Sequence, residues 1–137
     1  METQRLYPAV INSERVCTQS CTVQGMPIPK GTKIYMPTYP AHINEEFFPQ
    51  PFEFKPERFL KENSDKIIPY SYRPFGSGPR VCLGQRFAMV EMMIFMSKLM
   101  LKFKIVKVPN QTSLSYLNGD MSMNCFKEMI VKLEFRQ

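Results

Sequence analysis

The feature that most constrains this chain is the segment FGSGPRVCLG at residues 75–84, which comes directly before a long apolar segment. The glycines and the proline of this segment predict a tight loop, and Cys82 lies inside it. Residues 84–103 form the clearest predicted helix, and because they are apolar on most faces we expect that helix to be buried. The sequence therefore predicts a cysteine loop at the N-terminus of a core helix.

The neighbours of Cys82 each suit a metal-bound thiolate. Unpaired N–H groups at a helix N-terminus, together with the helix dipole, stabilise a thiolate. Gly84 leaves room for a flat ligand, Arg80 supplies a positive charge for a carboxylate, and Phe75 can shield the sulfur from water. The alternative is a structural cysteine in the core, because free cysteine is often buried. The glycines, arginine and phenylalanine at fixed offsets favour the metal-binding interpretation.

This loop resembles the haem-binding signature of the cytochromes P450. The residues that match its required positions are Phe75, Gly78, Arg80, Cys82 and Gly84. ETQR at residues 2–5 resembles the Glu-x-x-Arg of that family's K helix, and PERF at residues 56–59 resembles the segment that adds a second arginine. The order and spacing also fit over essentially the whole chain. The stretches GMPIPKG, PERF and FGSGPR look most like the microsomal, drug-metabolising branch.

The resemblance implies a fold that is mainly α with small β-sheets (α+β). Residues 1–137 would then be an incomplete, C-terminal haem-binding part of one haem-thiolate monooxygenase domain. It comprises the tail of the K helix, a β-sheet segment, a proline-rich loop, the cysteine-ligand loop, the L helix and a C-terminal hairpin. The implied cofactor is haem b, with Cys82 as the axial iron ligand and catalytic thiolate. The implied cofactor-binding residues are Arg15, Phe75, Gly78, Arg80, Cys82 and Gly84, of which Arg15 and Arg80 bind propionates.

The resemblance also implies a structural network and a substrate pocket. Glu2, Arg5 and Arg58 would form a buried ion-pair network that locks the proline-rich loop under the haem. Taken alone, Glu2 and Arg5 at a spacing of three also fit an exposed helix pair. The implied pocket residues are Val10, Ile11, Leu117 and Asn118, for which ordinary loop packing is the alternative. Apart from Asp120, the two stretches that hold these residues carry no charge that would select a substrate, which suggests a lipophilic one.

The implied reaction inserts one oxygen atom of O2 into an organic substrate. Electrons would come from NADPH through a flavoprotein reductase, which Lys98 and Lys102 could attract. The implied location is the cytosolic face of the endoplasmic reticulum membrane, although this sequence has no signal peptide and no apolar stretch that could span a bilayer. Because the N-terminal anchor and the long central helix of the family are not in this sequence, we expect the 137 residues to be inactive alone.

The local patterns predict the other elements. Residues 1–7 read as the end of a helix stopped by a proline, which suggests that the chain was cut from a longer one. Residues 15–39 predict short strands, RVCTQSCTV and TKIYMPTY, with a turn at GMPIPKG between them. Residues 40–80 predict a functional loop without periodicity. The alternating EMIVKLEF near the C-terminus predicts a strand, with a hairpin at Asn118–Gly119.

Three other interpretations are open or weaker. The chain could be a non-enzymatic truncated remnant. It could also be a basic binding module, because its net charge is +6, but its basic residues are scattered and nucleic acid is not the expected partner. Zinc binding by Cys17 and Cys21 is disfavoured, because on one strand they would lie ~13 Å apart. His42 is not assigned a haem contact, and the methionines of the long helix are expected to pack in the core.

Overall fold

The computed structural model describes residues 1–109 and 130–136. These residues divide into two compact units, one formed by residues 1–76 and the other by residues 77–109 with 130–136. Both contain α-helix or 3₁₀-helix, and the strands form two-stranded antiparallel sheets. This mixture is consistent with the predicted α+β class.

The first unit contains two short helices and four strands. Their bounds are α1 Glu2–Leu6, β1 Asn12–Val16, β2 Cys21–Val23, β3 Met26–Ile28, β4 Lys33–Pro37 and α2 Thr38–His42. β1 pairs with β4, and β2 pairs with β3 in a hairpin. That hairpin turns at Gln24 and Gly25, whose φ angles of 48° and 80° lie in the left-handed region that such turns require.

The helix and strands predicted for this unit are confirmed, with two corrections. RVCTQSCTV is not one strand, because the chain bends at residues 18–19 and its two halves join different sheets. GMPIPKG was predicted to be a turn, but its residues Met26–Ile28 form β3. The turn instead comes one step earlier, at Gln24 and Gly25.

The proline-rich segment after α2 contains 3₁₀ turns at Pro56–Phe59 and Lys61–Lys66. The buried apolar residues nearby are few, and Leu6 and Phe48 are the main ones. The rest of this small core is polar and consists of Glu2, Arg5, Thr38, His42 and Ser71. Buried polar groups require hydrogen-bond partners, so the geometry of this segment depends on a polar network.

The second unit is built on one long helix. It contains a 3₁₀ turn at Gly78–Arg80, then α3 Gln85–Lys102, β5 Phe103–Val106 and β6 Lys132–Phe135. β5 and β6 pair in antiparallel register, and the rings of Phe103 and Phe135 lie 4.8 Å apart. The predicted helix and the predicted C-terminal strand are therefore confirmed. The predicted hairpin at Asn118–Gly119 lies outside the described residues.

The prediction that α3 is buried is wrong for this chain. None of its residues is buried within the described structure. Phe87 and Phe95 are 73% and 62% exposed, and Met93 and Met96 are also exposed, so the methionines do not pack in a core. The helix is apolar on most faces, and among the described elements of its own unit its main neighbour is the strand that follows it.

Among the described residues, no helix is both long enough and apolar enough to cross a membrane.

Candidate functional site

The cysteine loop is shaped by glycines in the left-handed region. Gly76 and Gly78 have φ angles of 77° and 73°, which strain residues with a side chain. Gly78 begins the 3₁₀ turn Gly78–Arg80, and its carbonyl accepts a hydrogen bond from the N–H of Val81 at 3.0 Å. The carbonyl of Cys82 then accepts from the N–H of Gln85 at 3.3 Å, which joins the loop to the start of α3.

Cys82 is a free, exposed cysteine that comes just before the N-terminus of α3 in the chain. Gly84 is the N-cap of that helix, and no side chain caps the helix there. A Cβ added at Gly84 would lie 4.0 Å from the Cys82 sulfur, so the glycine leaves the space beside the sulfur free. Leu83 and Phe87 are 102% and 73% exposed and add apolar surface at this end of the helix.

These features fit a haem. A thiolate ligand needs an accessible sulfur and favourable electrostatics, which the helix N-terminus provides. A flat apolar group needs apolar neighbours and no side chain where it approaches the backbone, and Gly84 and Leu83 meet these two requirements.

The other residues predicted to bind the cofactor lie in three places. Arg80 is exposed at the end of the 3₁₀ turn, in the same short loop as Cys82. Arg15 is exposed on β1, where its Nη1 donates to the carbonyl of Glu14 at 2.8 Å. Phe75 is half-buried and, like Arg15, belongs to the unit formed by residues 1–76.

Glu2, Arg5 and Arg58 come together in the first unit. Arg5 donates to both carboxylate oxygens of Glu2, from Nε at 2.8 Å and from Nη2 at 2.7 Å. The Nε of Arg58 lies 3.5 Å from the same carboxylate. Glu2 and Arg5 are 3% and 0% exposed, so the exposed-pair alternative for these two residues does not apply.

This cluster also fixes backbone from the proline-rich segment. Arg5 donates to the carbonyls of His42 at 2.8 Å and of Glu53 at 3.2 Å. Glu2 accepts a hydrogen bond from the N–H of Lys55 at 3.0 Å. Burial alone would raise the pKa of Glu2, but the hydrogen bonds from Arg5 and Lys55 outweigh it and hold that pKa below its ordinary value.

His42 is a site residue that the sequence reasoning missed. Its side chain is 0% exposed, its Nδ1 lies 3.2 Å from the carbonyl oxygen of Arg5, and its Nε2 accepts from the N–H of Arg73 at 3.0 Å. Burial, and then the charges of Arg5 and Arg73, lower its pKa to about 4. No local sequence signal marks this role, because both hydrogen-bond partners are backbone groups more than thirty residues away.

The expected separation of Cys17 and Cys21 is wrong. The chain bends between β1 and β2, so the straight strand assumed for that separation does not exist. Desolvation, and then the neighbouring Cys17 thiol, raise the pKa of the Cys21 thiol. Within the described ranges, no group of three or more histidine, cysteine, aspartate or glutamate residues could hold a metal ion. Cys125 lies outside those ranges.

The predicted pocket and docking residues are partly described. Val10 is exposed, and the carbonyl of Ile11 accepts hydrogen bonds from the N–H groups of Thr38 and Tyr39 at 2.8 and 3.1 Å. Leu117 and Asn118 lie outside the described residues. Lys98 and Lys102 are both exposed on α3, and at a spacing of four they share one face of the helix.

The comparison with known families agrees with the loop and the network. A family model described as Cytochrome P450 matches residues 1–132, and the chain belongs to the cytochrome P450 family. The resemblance predicted from the sequence is therefore confirmed.

Its relatives include several cytochromes P450 of the 3A group. The chain is 46% identical to cytochrome P450 3A13 of Mus musculus over 104 residues, and this match covers 76% of the chain and 21% of the relative. Over 135 residues it is 38% identical to cytochrome P450 3A12 of Canis lupus familiaris, covering 98% of this chain and 27% of the relative. For cytochrome P450 3A6 of Oryctolagus cuniculus the identity is 49% over 102 residues, with 74% and 20% covered. The chain thus spans about a fifth to a quarter of the length of these relatives.

Proposed function

We propose that Cys82 is the axial thiolate ligand of a haem b and that this chain is the thiolate side of a monooxygenase acting on lipophilic compounds. The observation that carries the proposal is the accessible Cys82 sulfur beside Gly84, in front of an uncapped helix N-terminus. Family membership supports it, because cysteine ligation is the form of haem binding in cytochromes P450. When bound, such a haem supplies oxygen activation, which thiolate electron donation assists.

The residues of the loop have separate roles in this proposal. The unpaired N–H groups of the first turn of α3 and the helix dipole provide favourable electrostatics for a sulfur ligand. Gly84 keeps the space beside the sulfur clear, and Gly78 gives the loop its left-handed turn. The role proposed for Arg80 and for Arg15 is to bind a haem propionate through charge-assisted hydrogen bonds.

Phe75 limits the access of water to the sulfur, which tunes the metal–thiolate bond. The residues proposed to contact the substrate are Val10, Ile11, Leu117 and Asn118. They carry no charge that would select a polar substrate.

The role proposed for Glu2, Arg5 and Arg58 is structural. Together they tie α1 to the backbone of residues 42, 53 and 55, which belong to or follow α2. Removing one member would leave a buried charge without its partner, which costs roughly 3–5 kcal/mol in comparable networks. The network thereby fixes the proline-rich segment that precedes the cysteine loop.

The proposed partners follow from the reaction class. The electrons come from NADPH through a flavoprotein reductase, and Lys98 and Lys102 on one face of α3 attract its acidic surface. The proposed location is the cytosolic face of the endoplasmic reticulum membrane, which is the location that the microsomal branch implies.

We also propose that the 137 residues do not catalyse the reaction by themselves. The support for this is α3, whose apolar side chains are exposed on most faces. A haem pocket must exclude water from its apolar surfaces, and a large exposed apolar surface is a binding face for further protein. Haem binding and monooxygenase turnover are therefore separate questions for this chain.

Haem reconstitution tests the ligand assignment. The purified chain is titrated with haemin, reduced and exposed to carbon monoxide, and the Soret band is recorded for wild type, Cys82→Ala and Cys82→Ser. The matched control is Cys21→Ala, which removes another exposed thiol. We expect the red-shifted band of a thiolate-ligated ferrous–CO haem in wild type and in the Cys21 control, and its loss in both Cys82 variants. The same band in Cys82→Ala would contradict the proposal.

A further inference from the structure

His42 connects two parts of the first unit through opposite edges of one buried ring. It ends α2, and its Nδ1 faces the carbonyl oxygen of Arg5 in α1 at 3.2 Å. Its Nε2 accepts from the N–H of Arg73 at 3.0 Å. A carbonyl requires a donor and an N–H requires an acceptor, so this arrangement is satisfied by the neutral tautomer with its proton on Nδ1.

The backbone that His42 holds leads directly into the cysteine loop. Ser71 is 3% exposed, and its hydroxyl donates to the carbonyl of Ile68 at 2.7 Å. The carbonyl of Arg73 accepts a hydrogen bond from the N–H of Gly76 at 3.0 Å. This hydrogen bond closes the turn that contains Phe75. The Nε2–Arg73 hydrogen bond is therefore the side-chain contact that fixes the peptide on which this turn begins.

Tyr72 holds the same ring from its face. The rings of His42 and Tyr72 are stacked with centroids 5.3 Å apart and an interplanar angle of 25°. The Tyr72 hydroxyl lies 3.1 Å from the carbonyl oxygen of Met1, to which it donates, and 3.2 Å from the side-chain oxygen of Gln4. The imidazole thus has contacts at both edges and on one face, which leaves it one orientation.

We propose that neutral His42 is a positioning residue, a latch that holds the Arg73 peptide and so sets where the cysteine loop begins. A second proton, on Nε2, would place two donors against each other and would release the peptide of Arg73. The consequence for haem rests on the proposed function, whereas the backbone latch itself does not.

The charges around the ring favour its neutral form. Arg5 faces it from α1, and the guanidinium of Arg73 lies on the segment that it holds, with Nη2 donating to the carbonyl of Pro37 at 3.1 Å. Tyr72 is the titratable group on its face, and burial, with the charge of Glu2, raises the pKa of that phenol. The carboxylate of Glu2 is engaged by Arg5, so it does not offset these charges through a contact with the imidazole.

The test uses the full chain without haem and measures amide hydrogen exchange at Arg73 by NMR. His42→Phe keeps an aromatic ring but removes both edge contacts, whereas His42→Gln retains a side-chain donor and acceptor. We expect the Arg73 amide to exchange roughly tenfold faster or more in His42→Phe, since one buried hydrogen bond is lost, and to be partly restored in His42→Gln. Tyr35→Phe, at an exposed tyrosine on β4, is the control and should not change this rate.

A pH series on the wild-type chain gives the same answer without a substitution that could unfold the protein. Nitrogen shifts of the imidazole should report the Nδ1–H tautomer at neutral pH, and Arg73 protection should fall in step with protonation of the ring. Unchanged Arg73 protection in His42→Phe, or the opposite tautomer in wild type, would overturn the latch.

A haem titration of the same variants separates the latch from the proposed function. We expect His42→Phe to weaken haem binding while keeping the thiolate-type spectrum, because the sulfur is still present. Unaltered haem affinity despite loss of Arg73 protection would refute the link to the cysteine loop. If Cys82→Ala binds haem like wild type, the assignment of Cys82 as the ligand fails. The Arg73 exchange measurement remains valid in that case, because it is made on the chain without haem.

Discussion

Replacing Arg5 by methionine should destabilise the first unit more than any surface change. The Arg5 side chain donates four hydrogen bonds, two to Glu2 and one each to the carbonyls of His42 and Glu53. Methionine keeps an unbranched side chain but removes all four hydrogen bonds. The Glu2 carboxylate would keep its hydrogen bond from Lys55 and the Arg58 contact at 3.5 Å, and it would stay buried.

The expected loss of unfolding free energy for Arg5→Met is roughly 3–5 kcal/mol, as for other buried pairs that lose one member. Arg5→Lys keeps the charge but not the planar fork, so we expect an intermediate loss of about 2 kcal/mol from the missing charge-assisted hydrogen bonds. Adding Glu2→Gln to Arg5→Met should recover part of the loss, because the stranded charge is gone.

Urea unfolding of the haem-free chain, followed by circular dichroism, measures these differences. The matched control is Arg15→Met, since Arg15 is exposed and its side chain contacts the neighbouring carbonyl of Glu14. It should change the stability by no more than about 0.5 kcal/mol. If Arg5→Met costs less than about 1 kcal/mol, the interactions around Glu2 do not behave as a buried network, and the structural role assigned to them is refuted.

Four further predictions concern the latch, the cysteine loop and α3. The His42 imidazole takes up a proton near pH 6.5 in the unfolded chain and near pH 4 in the folded chain. The free energy of unfolding should therefore fall by roughly 3 kcal/mol as the pH drops from 6.5 to 4, and His42→Phe should flatten this pH profile. Gly84→Ala should weaken haem binding more than it weakens the fold, because its methyl group would fill the space beside the sulfur, as haem titration and thermal unfolding would reveal. Gly78→Ala should cost about 1–2 kcal/mol even without haem, because its φ of 73° suits glycine. Phe87→Glu with Phe95→Lys should reduce self-association in sedimentation experiments and leave unfolding within about 0.5 kcal/mol, since both rings are exposed.

The cysteine loop was predictable because its information is local. The left-handed glycines, the proline and the cysteine that define the loop lie within ten residues of one another. The long helix that follows is recognisable from its own apolar residues, without knowledge of what packs against it. The Glu2–Arg5 pair was predictable in the same way, from a spacing of three on one helix. Its burial required the resemblance, since the sequence alone favoured an exposed surface pair.

His42 and the two close cysteines were not predictable from local pattern. His42 binds backbone groups of Arg5 and Arg73, and a backbone carbonyl or N–H leaves no trace in the residue types of its partners. Cys17 and Cys21 meet because of a bend, whereas a spacing of four on a straight strand would separate them. In both cases the decisive fact is the path of the chain between the partners, which residue types determine only through the whole fold.

The long helix shows the opposite limit, where the element was predicted correctly and its environment was not. A helix that is apolar on most faces requires other residues to cover those faces. The sequence of the helix predicts this requirement but does not identify the residues that meet it. What covers α3 depends on residues outside the helix. Among the described residues of its own unit, the strand that follows the helix covers little of it. The exposed side chains of α3 are therefore a requirement that the described structure leaves unmet. The chemistry proposed for Cys82 depends on a few neighbouring residues, whereas monooxygenase turnover needs an enclosed pocket.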